Sequence, residues 1–408
     1  MTPPEKPLGQ VEFIALMAML FAMVAFSIDA MLPALPEIAA DISPEAPNRA
    51  QLIITSFVLG MGLGTLCTGP LSDTFGRKPV IVAGAGLYII GAGLALMANS
   101  VETIFAARLI QGVGAAGPRV VAVAIIRDLH SGRQMARMMS FIMLVFTLVP
   151  AIAPTLGAGI IWLAGWHAVF IAFILFAVLS TLWLSLRQPE TLPPESRRPF
   201  RIDPLLEGVK EIVTHRVVAL SLATQALVFG AFFATLSSTQ QVFDQTFGRG
   251  ENFHFWFGAI ALCAAPASII NARLVERIGM RGMITRVLGM EIALTTLAVG
   301  LSWLTPLGAT ALFYVYFLWT ISMFFMVGLT GGNLNALSME PMGHLAGLTA
   351  SVTGSLGTIG AVALAIPLGL AFDGTPLPLM VGSLVLVTLA FGMMLLLRAT
   401  DPQRHVAT

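Results

Sequence analysis

Charged residues are sparse along this chain, and the gaps between them set its architecture. No charged residue falls between Arg49 and Asp73 or between Lys78 and Glu102. A helix rises 1.5 Å per residue, so crossing a ~30 Å hydrocarbon layer takes roughly 20 apolar residues, and each of these gaps is long enough for one crossing. The gaps from Arg137 to Arg187 and from Glu291 to Glu340 each hold two, with turns expected at Gly165, Trp166 and His167 and near Thr305 and Pro306. Six spans are predicted near 11–34, 49–70, 79–98, 102–126, 137–161 and 166–186. A second six follow near 216–242, 252–273, 283–303, 308–332, 344–370 and 377–397. The runs are too long for barrel strands and show no alternation, so helices are the spanning element.

Composition agrees with this pattern. Hydrophobic residues make up 57% of the chain and charged residues 11%, with a mean hydropathy of +0.87, well beyond what a soluble core needs. The first apolar run carries Asp29, exceeds a signal-peptide core and follows only Lys6, so it is read as a retained span. The net charge of +1 says little, but its distribution sets an orientation. With both termini in the cytoplasm, that face collects Lys6, Arg77, Lys78, Arg127, Arg133, Arg137, Arg187, Arg197, Arg198, Arg201, Lys210, Arg216, Arg273, Arg277, Arg281, Arg286, Arg398 and Arg404, and the opposite face keeps Arg49 and Arg249. That asymmetry follows the positive-inside rule.

One long polar interval, rich in proline and charge, runs from Arg187 to Thr214 and divides six spans from six. The expected organisation is a six-helix bundle over 1–186, a cytoplasmic linker over 187–214 and a second bundle over 215–408. The halves echo each other. Leu71-Ser-Asp-Thr-Phe-Gly-Arg-Lys78 follows span 2 and Leu274-Val-Glu-Arg-Ile-Gly-Met-Arg281 follows span 8, pairing Asp73 with Glu276, Gly76 with Gly279 and Lys78 with Arg281. An echo at equivalent places suggests parallel halves related by an axis along the membrane normal.

These residues carry a family resemblance over nearly the whole chain. Gly69-Pro-Leu-Ser-Asp-Thr-Phe-Gly-Arg-Lys78 resembles the loop 2–3 signature of the major facilitator superfamily. More narrowly, the chain is similar to the bicyclomycin/chloramphenicol-resistance (Bcr/CflA) branch of drug/proton antiporters. Arg108-Leu-Ile-Gln-Gly-Val-Gly-Ala-Ala116 resembles its span-4 signature, Pro150-Ala-Ile-Ala-Pro-Thr-Leu-Gly157 its span-5 antiporter motif, and Asp29-Ala-Met-Leu-Pro-Ala-Leu-Pro36 its span-1 exit. Asn271-Ala-Arg-Leu274 and Asn333-Leu-Asn-Ala-Leu337 resemble its second half. Ala153 and Ala158 stand where the antiporter motif usually has glycine, and Met280 replaces the arginine that Arg77 supplies in the first half. The resemblance implies an all-α integral membrane protein with the major-facilitator fold, twelve transmembrane helices in two pseudo-symmetric six-helix bundles.

The ionisable residues inside the spans are the candidate machinery. Asp29 precedes Pro33 and Pro36, which loosen or end its helix. A carboxyl there either exchanges a proton as substrate binds or caps a bend at the water boundary. Arg108 and Arg119 lie eleven positions apart, close to three helical turns, and so share a face of span 4. Each needs a polar partner or a watery cavity. The resemblance gives the Arg108 position a gating or coupling role alongside Asp29; Arg119 falls outside the signature and is the candidate for substrate preference, or it pairs locally. Phe232 and Phe233 belong to an aromatic crowd in spans 7 and 8 that either lines a drug cavity or faces lipid.

Gly69, Asp73, Gly76, Arg77, Lys78 and Asp128 read as a conformational gate. In that reading Asp73 caps a facing helix N-terminus and Arg77 pairs with Asp128, and the resemblance implies a latch against the start of span 11 near His344. The plain alternative is a positive-inside loop. Pro150, Pro154 and Gly157 suggest a kinked, closely packed span 5 that limits leakage, or ordinary helix packing. Gly112-Val-Gly-Ala-Ala-Gly117 matches the dinucleotide fingerprint by letter, but it has no preceding strand and sits in an apolar span, so it is read as packing.

Cys67 and Cys263 are expected as buried packing thiols, and the six histidines show no metal-ligand spacing. Glu291 and Glu340 are either second-half proton carriers or, as boundary placement favours, solvated. No GxxxxGK[ST] loop is present, so ATP is not the expected energy source, and no cofactor or metal is expected. The expected function is proton-coupled secondary antiport, exporting small, fairly apolar drugs or antibiotics across a bacterial inner membrane by alternating access. A metabolite exporter for a sugar, amino acid or siderophore is the alternative; a membrane-embedded enzyme or receptor ranks below, without the nucleophile spacing or output domain either needs. The expected partners are a small-molecule substrate, protons and the lipid bilayer, with no nucleic acid and a monomer as the functional unit.

Overall fold

Every predicted span is helical in the computed structural model, which describes residues 8–197, 199, 202–304 and 308–399. The expectations placed on Lys6, Arg198, Arg201, Thr305, Pro306, Arg404 and His405 lie outside the described residues. Among the described residues there is no strand. The helices are α1 (Gln10–Asp29), α2 (Leu35–Ile42), α3 (Leu52–Phe75), α4 (Arg77–Leu96), α5 (Val101–Leu129), α6 (Gly132–Ala164), α7 (His167–Arg187) and α8 (Ile202–Thr214). They continue as α9 (Arg216–Gln241), α10 (Phe253–Ala264), α11 (Pro266–Ile278), α12 (Met280–Leu304), α13 (Ala309–Met339), α14 (Ala346–Leu370) and α15 (Leu377–Ala399).

Eleven helical stretches among the described residues are long and apolar enough to cross a membrane. The longest, Ala309–Leu370, has 62 residues, about 93 Å at 1.5 Å per residue and about three times the hydrocarbon core. It turns at Met342, whose backbone leaves the helical region (φ −115°, ψ 36°) within the 3-10 segment Glu340–Leu345. That turn separates α13 from α14 and makes twelve crossings. The chain is a multi-pass membrane protein.

Pro33 and Pro266 mark helix breaks, where the missing N–H and ring clash act, while Pro70, Pro118, Pro150, Pro154 and Pro367 lie inside helices. Pro33 opens a 3-10 turn, Leu32–Ala34, between α1 and α2, and Pro266 starts α11 immediately after α10 ends. Gly165, at φ 74°, ends α6 at the turn that the sequence places there.

The chain divides into two compact units, Met1–Ile202 with Glu251–Ala259, and Asp203–Gly250 with Ile260–Thr408. In the first, α5 packs between α3 and α4, and α1 lies on α6. Lipid tails are as apolar as leucine, so helices in a bilayer gain from close backbone approach rather than from hiding hydrocarbon. The glycines of α5 supply that approach: a Cβ on Gly112 would overlap the Phe57 carbonyl of α3, and one on Gly114 the Tyr88 amide of α4. The glycine run is therefore a packing face, as its place in an apolar span requires.

In the second unit α9 packs on α13, α14 and α15, and α12 on α13 and α15. Residues 202–214 of the polar interval are themselves a helix, α8, seated in this unit by Gly208 under Leu348 and by Glu211 Oε1, 3.0 Å from His344 Nε2. Cys67 and Cys263 correct the sequence expectation: both are exposed on their helices rather than buried. A charge-free run marks a residue as within the membrane, but which side of the helix it occupies is decided by the neighbours.

Candidate functional site

Asp29 is the last residue of α1, where the helix gives way to the proline-bearing turn, and it is 4% exposed. Its carboxyl is thus enclosed by protein atoms at the bend. Among the described residues no hydrogen-bond donor or cation reaches its carboxyl. Gly157 of α6 lies directly against the bend: a Cβ there would overlap the carbonyl of Ala30 and meet its Cα at 3.0 Å. The span-5 motif is thus what holds the end of α1, with Ala153 and Pro154 buried beside it and Pro150 half-buried. Gly157→Ala should cost about 1–3 kcal/mol, because the clash is with backbone that has no rotamer to change. Gly159→Ala, with open space around it, should be neutral in the same thermal unfolding scan.

Arg108 of α5 is completely buried, and each nitrogen of its guanidinium donates a hydrogen bond. Nε donates to the Ile53 carbonyl at 3.2 Å, Nη1 to Gln111 Oε1 at 2.7 Å and Nη2 to the Ser27 carbonyl at 2.9 Å. Its Cζ lies 4.3 Å from the centroid of the Phe57 ring, a cation–π contact at a buried site. Its partners among the described residues are therefore two backbone carbonyls and the Gln111 amide oxygen, with no carboxylate, and one of the carbonyls is two residues before Asp29. Ser27 Oγ in turn donates to the Met23 carbonyl at 2.6 Å and hydrogen-bonds Tyr88 of α4. Ser27, Tyr88 and Gln111 were not singled out from the sequence; Gln111 was legible as the residue one turn from Arg108, whereas Ser27 and Tyr88 come from other helices.

Arg119 shares the α3-facing side of α5 with Arg108, as their spacing predicts. It is half-buried, its Nη1 is 3.2 Å from Met61 Sδ, and among the described residues no carboxylate pairs with it. Phe232 and Phe233 lie in the second unit, in an aromatic cluster. The Phe232 ring is 5.4 Å from Phe233 and 4.9 Å edge-on from Phe324 of α13.

The loop between α3 and α4 brings the gate residues together. Arg77, 4% exposed, reaches Asp128 Oδ2 through Nε at 2.9 Å and Asp73 Oδ1 through Nη1 at 2.6 Å. The Arg77–Asp128 pair is the expected one. Asp73 differs, since its carboxylate meets Arg77, one turn along the chain. Gly76 joins the helices at φ 101°, a conformation open to glycine, while Gly69 lies within α3.

The residue that caps a helix N-terminus here is Glu190, which the sequence analysis passed over. Its Oε1 accepts from the amide of Arg77 and its Oε2 from that of Lys78, both at 3.0 Å. A carboxylate there meets the positive end of the α4 dipole. Lys78 Nζ binds the Ser185 carbonyl at 3.0 Å, so the α3–α4 loop is tied to the end of α7 and to the segment after it. The second half repeats the geometry in weaker form: Gly279 sits at φ 75°, and Arg281 is 3.7 Å from Glu340 at the end of α13. Met280 lacks the charge of its counterpart, so the neighbouring arginine makes the contact.

The comparisons with known proteins agree with this architecture. Residues 15–366 match the Major Facilitator Superfamily. The bicyclomycin resistance protein homolog of Haemophilus influenzae is 31% identical, covering 92% of this chain and 94% of that one. The chloramphenicol resistance protein of Pseudomonas aeruginosa is 27% identical over 91% and 87%. Among solved structures, a partially occluded inward-open form of the xylose transporter XylE from E. coli aligns with a TM-score of 0.73 at 13% identity, over 95% of this chain and 97% of that one. At that identity it speaks for the fold alone. Twelve crossings, the Gly69–Lys78 loop closed on Asp128 and a family match over most of its length all place this chain in the Major Facilitator Superfamily.

Proposed function

We propose that the chain is a proton-coupled secondary antiporter that exports small, fairly apolar drugs or antibiotics across a bacterial inner membrane by alternating access. In this reading both termini are cytoplasmic, the monomer is the working unit, and six-helix halves over 1–186 and 215–408 move about the 187–214 connection. Asp29 carries the reading. It is a carboxyl within a span, buried at a helix bend and, among the described residues, without a cation to neutralise it, which is the setting of a group that takes up and gives up a proton. The bicyclomycin and chloramphenicol resistance proteins of comparable length support export of antibiotics.

Arg108 couples the proton to conformation, because its bond to the Ser27 carbonyl ties α5 to the helix end that bears Asp29. Phe232 and Phe233 offer an aromatic surface to an apolar compound. The Gly69, Asp73, Gly76, Arg77, Lys78 and Asp128 set is the gate, and Pro150, Pro154 and Gly157 brace the Asp29 bend against leakage. The test is fluorescence quenching of a pH gradient in vesicles containing the protein, against a panel of drugs. A compound that dissipates the gradient only with the protein present supports antiport; no response to any member of a broad panel counts against it.

Arg119 favours a second reading, export of an endogenous metabolite that bears an acidic or strongly polar group. A half-buried guanidinium with a thioether as its contact leaves donors for such a group. Arg119→Ala should weaken transport of acidic compounds by about tenfold, the loss of one charge-assisted contact, and leave neutral ones unchanged. Equal effects on both, in a competition assay, would remove Arg119 from substrate selection.

A further inference from the structure

Glu291 sits at the middle of α12, about 16 Å along the helix from Met280 at 1.5 Å per residue, and is 1% exposed. The sequence expectation of a solvated boundary residue fails here, while Glu340, more than half exposed beside Arg281, meets it. A carboxyl at this depth needs organised partners. Ser322 Oγ of α13 donates to Oε1 at 2.9 Å and Thr295 Oγ1 at 3.1 Å, and Thr295 is held by the Trp319 indole N–H at 3.0 Å. All of the donors meet Oε1. Among the described residues nothing donates to Oε2, and no cation pairs with the group.

Glu291 lines a groove of about 190 Å³ between α12 and α13, with Ser322, Met326, Phe325, Met290, Leu294 and Leu318 around it. Met290, Leu294 and Leu318 are 51%, 39% and 63% exposed, whereas Met326 is 1% exposed. Met290, Leu294 and Leu318 therefore form the open, apolar side of the groove, and the buried Glu291 is its one ionisable lining residue. A benzene ring fits a dry cavity of ~150 Å³, so this one has room for a ring and a short polar arm.

We propose that this groove is a binding site for small lipophilic amines that arrive through the bilayer, with Glu291 Oε2 accepting the amine N–H and the apolar walls of α12 and α13 holding the hydrocarbon. Charge complementarity selects the class. A carboxyl with one oxygen saturated and the other open is completed by a donor, and a compound reaching it through hydrocarbon must be apolar elsewhere. The ammonium–carboxylate pair is net neutral, as is the amine–carboxylic acid pair with the proton on the other partner. Either form avoids leaving an unpaired charge at the bilayer centre. The site stands apart from the antiport reading, since it is filled at equilibrium with no gradient.

The test is equilibrium binding of 4-phenylbutylamine to the full chain in lipid nanodiscs, with empty nanodiscs subtracted and 4-phenylbutan-1-ol as the neutral comparison. The expected result is saturable amine binding, weakened by about tenfold or more in Glu291→Gln, with the alcohol weaker than the amine by a similar factor. Leu294→Trp, on the open side of the groove, fills it and should abolish binding with Glu291 intact. If Glu291→Gln does not survive purification, the amine–alcohol comparison and Leu294→Trp decide. Amine and alcohol binding alike would make the groove an apolar seat for lipid and overturn the proposal. So would wild-type affinity in Glu291→Gln or Leu294→Trp, or no saturable binding by the native chain.

Discussion

Asp29→Asn abolishes substrate-induced proton release in vesicles, to the level of membranes lacking the protein, while the variant inserts and unfolds like the wild type. The expectation rests on what the structure leaves around the carboxyl. Among the described residues no donor or cation contacts it, so the amide replaces it without breaking a contact or stranding a partner there. Asparagine is close in size and cannot release a proton, and so the substitution removes titration and little else. Asp29→Glu is the informative companion. Its extra methylene must fit beside the Gly157–Ala30 contact, so it keeps the chemistry and strains the packing. Partial activity in Asp29→Glu with none in Asp29→Asn identifies the proton as the missing element. Full proton-driven export by Asp29→Asn would remove Asp29 from the coupling scheme.

Arg77→Ala is expected to destabilise the observed arrangement of the α3–α4 loop by about 3 kcal/mol, the low end for breaking a buried ion pair, because Asp73 and Asp128 keep some contact with water. That amounts to about a hundredfold shift among conformations, enough to remove most transport from a cycle that must populate each in turn. Arg77→Lys should recover only a part, since one ammonium cannot reproduce a guanidinium that serves Asp128, Asp73 and Ser72 Oγ together. The charge swap, Arg77→Asp with Asp128→Arg, is the sharper experiment. It should restore little by itself, because the carboxylate introduced at 77 faces Asp73 one helical turn away. Adding Asp73→Asn to the swap should raise the recovery. If transport in the triple variant is no better than in Arg77→Ala, the ion pair is not what the gate depends on.

The three-way arrangement shows where sequence reading stops. The Arg77–Asp128 pair was legible because charges at the ends of adjacent apolar spans have few alternatives. Asp73 was assigned to a helix N-terminus, and the N-terminus that is capped is that of α4, by Glu190, more than a hundred positions along the chain. Nothing local to Glu190 marks it, since its role exists only when the segment after α7 returns to the start of α4. Glu291 was misplaced for a related reason. A place near the cytoplasmic boundary favours solvation, but helix α12 begins at Met280 and carries Glu291 to the middle of the helix, where Ser322 and Trp319 from α13 make it tenable.

The sequence by itself determined the number of crossings, their turns at Gly165 and at the α1 prolines, the 71–78 and 274–281 echo, and the shared face of Arg108 and Arg119. These follow from period, length and the cost of placing charge in hydrocarbon, which act along one helix at a time. Only the tertiary structure decided that Arg108 is satisfied by two backbone carbonyls and Gln111, that Asp29 is buried at the bend where Gly157 meets Ala30, that Cys67 and Cys263 are exposed, and that Glu291 is held in a groove between α12 and α13. Each depends on which helices lie side by side. In a chain where nearly every face is apolar, hydrophobicity does not choose those neighbours; small residues and hydrogen-bond donors on other helices do.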